Sequence, residues 1–257
     1  MRFEHKLQIK NMDIAAYIWI FVVILIGYSE SSFATFGFTD PQRCGSKNCW
    51  EITDYISQSD LQELSQAVEN CCVSKSYQAP WVFLNSDGGD VEAAIAIGRQ
   101  LRKVHAMAFI LKNERCYSSC VFILAGAVKR TLFHTIGIHR PYSISTDARN
   151  FQTIQDEQRR IAKLAKDYLE EVNVSPSLYD AMVNIPPENI QLLSASELQS
   201  YGLLEVDPVE QEMDDAFNAR QYGLSKVEYL RRKVKVDDIC ANGDINDYVN
   251  CRDAIFR

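Results

Sequence analysis

Basic residues are in short supply: 27 Lys and Arg stand against 34 Asp and Glu, a formal net charge of −7. Such a chain offers no basic surface to a phosphate backbone, so nucleic acid is not an expected partner. Histidine is scarce, at four residues, and one of these, His5, precedes the only long apolar run. No histidine-rich tract and no CxxC…CxxC spacing occurs, so no metal is expected and no cofactor is implied. No internal repeat or low-complexity tract stands out. With 47% apolar and 24% charged residues the composition is that of an ordinary folded domain, which excludes wholesale disorder.

What is present begins with a leader. Arg2, Lys6 and Lys10 precede an apolar run from Ile14 to Tyr28. That run, about 15 residues, is shorter than the roughly 20 that span a bilayer as a helix. A charged start, a short apolar middle and small residues at Ser32 and Ala34 form the layout of a secretory signal peptide cleaved after Ala34. The alternative is an uncleaved membrane anchor through residues 14–28, with Tyr17, Trp19 and Tyr28 at the interfaces. Both readings make the rest of the chain exported, in a periplasmic or other extracytoplasmic space.

All eight cysteines (Cys44, Cys49, Cys71, Cys72, Cys116, Cys120, Cys240 and Cys251) follow the leader. An even number in an exported chain points to disulfides. Cys44–Cys49 and Cys240–Cys251 would close short loops, and Cys116 with Cys120 is close enough in sequence to pair as well.

Beyond a turn-rich opening at residues 35–50, apolar residues at helical spacing predict a helix over Leu61–Val68. Trp81–Leu84 is a short apolar run entering Asn85-Ser86-Asp87-Gly88-Gly89, which reads as a buried strand ending in a glycine turn. Asp90 is a suitable N-cap for a helix over Val91–Val104. Met107–Leu111, Thr131–Phe133 and Ile136–Ile138 read as strands, and Ser118–Ala127 as a helix buried all round. Residues 148–173 read as a long charged helix, solvated on its polar face. Alternating strands and helices make an α/β domain, expected over residues 35–210, with 211–257 a small helical and disulfide-closed extension.

Three segments can carry chemistry. Paired Gly88 and Gly89 can present main-chain N–H groups to an oxyanion without Cβ obstruction. Cys116-Tyr117-Ser118-Ser119-Cys120 puts a hydroxyl at a helix N-terminus, where the dipole favours negative charge. Ile138-His139-Arg140-Pro141 supplies an imidazole after a short strand.

These segments, in this order, resemble the Clp-type serine peptidases of the Clp/crotonase superfamily over residues 81–205. Leu84–Gly89 is similar to that family's "I-N-S-P-G-G" oxyanion turn, and Ser118–Ala127 to its nucleophile helix with one residue fewer before the glycine. Ile138–Pro141 is similar to "I-H-Q-P", and Leu193–Leu203 to "L-S-A-x-E-A-x-x-Y-G-L". The resemblance implies a spiral of ββα units and a serine hydrolase acting on peptides or unfolded segments. It implies Ser118 as nucleophile, with Ser119 the alternative, and His139 as base. The amides of Gly88, Gly89 and Ser119 would form the oxyanion hole, and assembly as a homo-oligomer is implied with them. Arg140 is a candidate for a substrate carboxylate. The family's orienting aspartate falls at Ile190, so Asn189 beside it is the candidate third member; otherwise the site is a Ser–His dyad. An inactive scaffold of the same fold and a crotonase-like acyl-thioester enzyme are the competing readings.

Overall fold

The computed structural model of the chain describes residues 36–38, 49–71, 79–133, 135–142, 151–204, 206–240 and 245–256. The leader, with its cleavage or anchoring, and Cys44 and Cys72 lie outside these residues. No described helix is long and apolar enough to cross a membrane.

Strand β1 (Phe36–Phe38) runs antiparallel to β2 (Cys49–Ile56), and β2 runs parallel to β3 (Trp81–Gly89). The apolar alternation does not reveal β2. Trp50, Ile52 and Ile56 are buried in phase, but the position between the last two is Asp54, polar, exposed and at φ 58° beside a register shift, so the apolar alternation is interrupted. Helix α1 (Gln58–Cys71) connects β2 to β3 and outruns the expected Leu61–Val68. It starts early because Asp60 accepts the Ser57 N–H at 2.7 Å. The third strand, β3, does not end at Leu84. It continues through both glycines, because Tyr55 and Ile56 of β2 pair with Gly88 and Gly89.

After α2 (Val91–Lys103), capped by Asp90 Oδ1 accepting from the Ala93 N–H at 2.8 Å, the chain builds two similar units. The first is β4 (Met107–Ile110), β5 (Cys116–Tyr117) and α3 (Cys120–Gly126). The second is β6 (Lys129–Leu132), β7 (Ile136–Ile138) and α4 (Phe151–Glu171). Parallel pairing joins β4 to β6 and β5 to β7, so each unit stacks on the next, strand upon equivalent strand. The parent strand β3 serves both layers: Trp81–Phe83 pair with β4, and Ser86 pairs with Cys116 of β5. Two ββα units of this kind bear out the expected α/β class. Helix α5 (Ser177–Asn184) and β8 (Gln191–Leu192) follow, β8 closing the sheet antiparallel to β7. The short helix α6 (Ala195–Ser200) is begun by a capping box between Ser194 and Glu197.

Every residue of α3 is buried, and α3 lies against α2 backbone to backbone. A Cβ built on Gly126 would stand 2.3 Å from the Gly98 carbonyl oxygen, and one on Gly98 would stand 2.8 Å from the Phe122 carbonyl oxygen. Any larger residue forces the helices apart. Tyr168 of α4 seals this crossing, its hydroxyl donating to the Phe122 carbonyl at 2.7 Å. Its burial pushes the phenol pKa up, so it stays a neutral donor across the physiological range.

A second anchor lies below the sheet. Asp207, its side chain wholly buried, accepts from Arg102 Nη1 at 2.9 Å and from Arg130 Nη2 at 3.2 Å. Arg130 also donates to the Gly202 carbonyl at 2.9 Å, tying the Tyr201-Gly202-Leu203 turn to β6. Burial pushes the Arg130 guanidinium pKa down while Asp207 opposes the shift, as expected of a charge kept inside by a partner. The same carboxylate caps α7 (Pro208–Gln221) by accepting the Val209 N–H at 2.8 Å.

The C-terminal helices α8 (Lys226–Cys240) and α9 (Ile245–Phe256) are joined by the Cys240–Cys251 disulfide. With α7 they form a small core of their own around Ala219, Tyr229, Val236, Cys240 and Phe256.

The Gly98–Gly126 crossing yields a stability prediction. Gly126→Ala is expected to cost about 1–3 kcal/mol through overpacking, lowering Tm by several degrees in thermal melts. An unchanged Tm would show that the helices have room to part. Asp207→Ala leaves the buried Arg130 and the partly buried Arg102 without their anion, and about 3–5 kcal/mol is expected from denaturant titration. A loss below about 1 kcal/mol would show the network to be effectively solvated.

Candidate active site

Three chain segments converge where β3, β5 and β7 end. The first is the tail of β3. Gly88 adopts φ 104°, a region that L side chains rarely enter. Space forbids a side chain there as well: a Cβ would meet Ser118 Cβ at 2.7 Å and the Tyr117 carbonyl at 2.9 Å. Gly89 is pressed against β2, where a Cβ would lie 2.2 Å from the Ile56 carbonyl oxygen. The glycine pair thus lets β3 touch the serine turn on one side while staying in the ladder on the other.

The second segment is that turn. The sequence pattern puts Ser118 inside the buried helix, but α3 begins at Cys120 and Ser118 stands before it at φ 55°. Positive φ at a non-glycine residue costs of order 1–3 kcal/mol and persists only where the surroundings impose it. Here they do. The Ser118 N–H donates to the Gly137 carbonyl at 2.9 Å, and its own carbonyl accepts from the Val121 N–H at 3.1 Å. A disulfide joins Cys116 to Cys120, two residues to either side. Both cysteines are fully buried, so the bridge is a strut and neither sulfur is a nucleophile.

The two serines differ. Ser119 is completely buried, and its hydroxyl donates to the Gly89 carbonyl at 3.1 Å. The Ser118 hydroxyl has no hydrogen bond among the described residues, and the residue keeps 8% exposure. Of the three candidate oxyanion amides, that of Gly88 donates to Ser86 Oγ at 3.0 Å, and that of Ser119 donates to no described acceptor.

The third segment leaves β7. Parallel pairing sets Tyr117 beside Gly137, so Ser118 and His139 emerge from neighbouring strand ends. No hydrogen bond joins their side chains in this structure, which is common before substrate is bound. His139 is 7% exposed, Nδ1 lies 3.0 Å from the Arg140 carbonyl oxygen, and the Tyr142 ring is centred 5.9 Å away. Asn189 is not brought into this arrangement. It is exposed, its main-chain N–H donates to the Pro186 carbonyl at 3.0 Å, and no described hydrogen bond links its side chain to His139. The Arg140 side chain is exposed and has no ion pair among the described residues.

Arg115 is a site residue that sequence reading passes over. Its guanidinium forks onto Asp87, with Nη2 2.6 Å from Oδ2, and its N–H reaches Asn85 Oδ1 at 3.3 Å. The hydrogen bond holds the Asp87 carboxyl below its ordinary pKa. The available clue was Asp87 itself, standing where the family's turn has proline. The pair clamps the glycine turn of β3 to the chain entering β5. Among the described residues no cluster of His, Cys, Asp and Glu could hold a metal ion.

The strut gives a direct prediction. A Cys116→Ser/Cys120→Ser double variant should lose about 2 kcal/mol, the chain-entropy value for so short a loop. At roughly 2–4 °C per kcal/mol for a chain of this size, calorimetry should show Tm falling by about 4–8 °C. An unchanged Tm would mean that packing alone holds the turn.

No curated protein matches the chain. The Clp protease family model matches residues 62–212, well over half the sequence, from within α1 to within α7 and across every segment of the site. The chain belongs to the Clp protease family.

Proposed function

We propose that this chain is an exported serine-type peptidase that cleaves short peptides or unstructured protein segments. The observation that carries this reading is the Ser118 turn, a non-glycine residue held at φ 55° with its hydroxyl free of hydrogen bonds among the described residues, beside the strand end that bears His139. Strain of this kind collects at functional sites, since a purely structural serine would relax or be glycine.

The chemistry runs as follows. Ser118 passes its proton to His139, and the oxygen attacks the peptide carbonyl carbon. The oxyanion meets the open N–H of Ser119, with the amides of Gly88 and Gly89 alongside once Gly88 releases Ser86. His139 then protonates the departing amine, and a water deprotonated by the same imidazole hydrolyses the acyl-enzyme. The exposed Arg140 is available to a substrate carboxylate at the rim.

Export is supported by the cysteines. Cys49, Cys116, Cys120, Cys240 and Cys251 are all disulfide-bonded, a pattern that persists in oxidising compartments. Outside the cytosol an ATP-driven unfoldase has no fuel, which is why unstructured substrates are proposed. Clp-family members often assemble as oligomers, and a homo-oligomer is proposed here on that basis. The exposed charges of α4 are largely paired within the chain, as Arg160 with Glu92 and Lys166 with Asp180, so its polar face is a solvated one.

Fluorophosphonate labelling of the purified, oxidised protein tests the proposal, with the adduct located by mass spectrometry. Labelling is expected on Ser118 and is expected to disappear in His139→Ala. An adduct on Ser119 would move the nucleophile by one residue and keep the enzyme. A folded sample that takes no label would overturn the hydrolase reading in favour of an inactive scaffold.

A further inference from the structure

The place where this family keeps its orienting aspartate is visible in the sheet register, and an apolar residue, Ile190, holds it. Antiparallel pairing sets Gly137 opposite Leu192 and Ile138 opposite Gln191. One further step along the same register sets His139 opposite Ile190. A Cβ on Gly137 would stand 2.5 Å from Ile190 Cγ2 and 2.7 Å from Tyr117 Cδ1. Ile190 therefore leans over the bare backbone of Gly137 against the Tyr117 ring, and no acid faces the imidazole from β8. Among the described residues, the aromatic and hydrogen-bonding contacts of the imidazole are the Tyr142 ring and one main-chain oxygen.

We propose that the main-chain carbonyl of Arg140 is the third member of this site, doing the positioning that a carboxylate does elsewhere in the family; the proposal deepens the peptidase reading and rests on it. A carbonyl oxygen only accepts, so the 3.0 Å contact puts the proton on Nδ1 of His139. Nε2 is then left with the lone pair that a general base needs. Choosing the tautomer and fixing the ring are the larger part of what an orienting acid supplies.

The carbonyl is itself held. The Arg140 N–H donates to the Ile185 carbonyl at 2.9 Å, anchoring that residue to the segment after α5. Pro141 then restricts Arg140 to an extended conformation, which directs its C=O back towards the ring. The Ile138-His139-Arg140-Pro141 motif thus carries both the base and the group that orients it. A carbonyl has no charge, so it does not stabilise the imidazolium as a carboxylate does.

The test reads His139 directly, by long-range proton–nitrogen NMR on the ¹⁵N-labelled, oxidised protein, with His139→Gln used to assign the signal. At a pH where the ring is neutral, the Nδ1–H tautomer is expected, unchanged in Asn189→Ala. An Nε2–H signal, or the averaged pattern of a free imidazole in a folded sample, would overturn the proposal, as would a tautomer change in Asn189→Ala. Ile190→Asp gives a second reading. If the carbonyl already orients the ring, a new carboxylate adds only charge, and the labelling rate of Ser118 is expected to rise by less than about ten-fold. A rise nearer 10³–10⁴-fold, the size of effect seen when an orienting acid restores the tautomer, would show that the carbonyl holds nothing. The two readings fail separately. Nδ1–H without any label on Ser118 would remove the peptidase and keep the carbonyl contact, whereas label on Ser118 with Nε2–H would do the reverse.

Discussion

Strand β3 bonds to different strands along its length, and the site exists because of that division. Its first residues pair with β4, Ser86 pairs with β5, and both its ends pair with β2. A sheet that forks in this way must turn out of plane at the fork. The chain between β3 and β5 can then approach closely only if one side has no Cβ. Gly88 meets that condition, and Ser118 is what it touches. Disulfide, positive φ and the hydrogen bond to Gly137 all serve to keep Ser118 at that contact.

The same economy of backbone contact recurs in the core. Gly98 and Gly126 let α2 and α3 meet without side chains between them, so α3 is held at one end by a helix crossing and at the other by the disulfide. A serine placed at the start of a helix so tightly fixed has little freedom to drift. The Asp207 network works at a different level, locking the turn at Gly202 and the start of α7 onto α2 and β6. It keeps the C-terminal helices in register with the sheet and supplies nothing to the chemistry.

The orienting acid is where this chain parts from its family. An apolar residue opposite the imidazole would leave a base without direction in most serine hydrolases. Here the carbonyl of the next residue, itself tied by its N–H to Ile185, lies 3.0 Å from the ring.

Periodicity and turn residues were enough to read the α/β class and Asp90 as a cap, because each is a local property of residue type and spacing, while the family was read from the resemblance of four ordered motifs. The Cys240–Cys251 bridge was legible for the same reason, its loop being short. Strand β2 was not, since polar, exposed Asp54 stands where the apolar alternation would continue. The helical reading of Ser118 failed because apolar spacing cannot see the disulfide and the Gly137 carbonyl that pull this residue out of α3. Arg115 on Asp87 and Ser119 on Gly89 are contacts between groups that only folding brings together. Sequence determined which residues could act; the tertiary structure decided which hydroxyl is left without a partner among the described residues, because the Ser119 hydroxyl is taken by the Gly89 carbonyl thirty residues away.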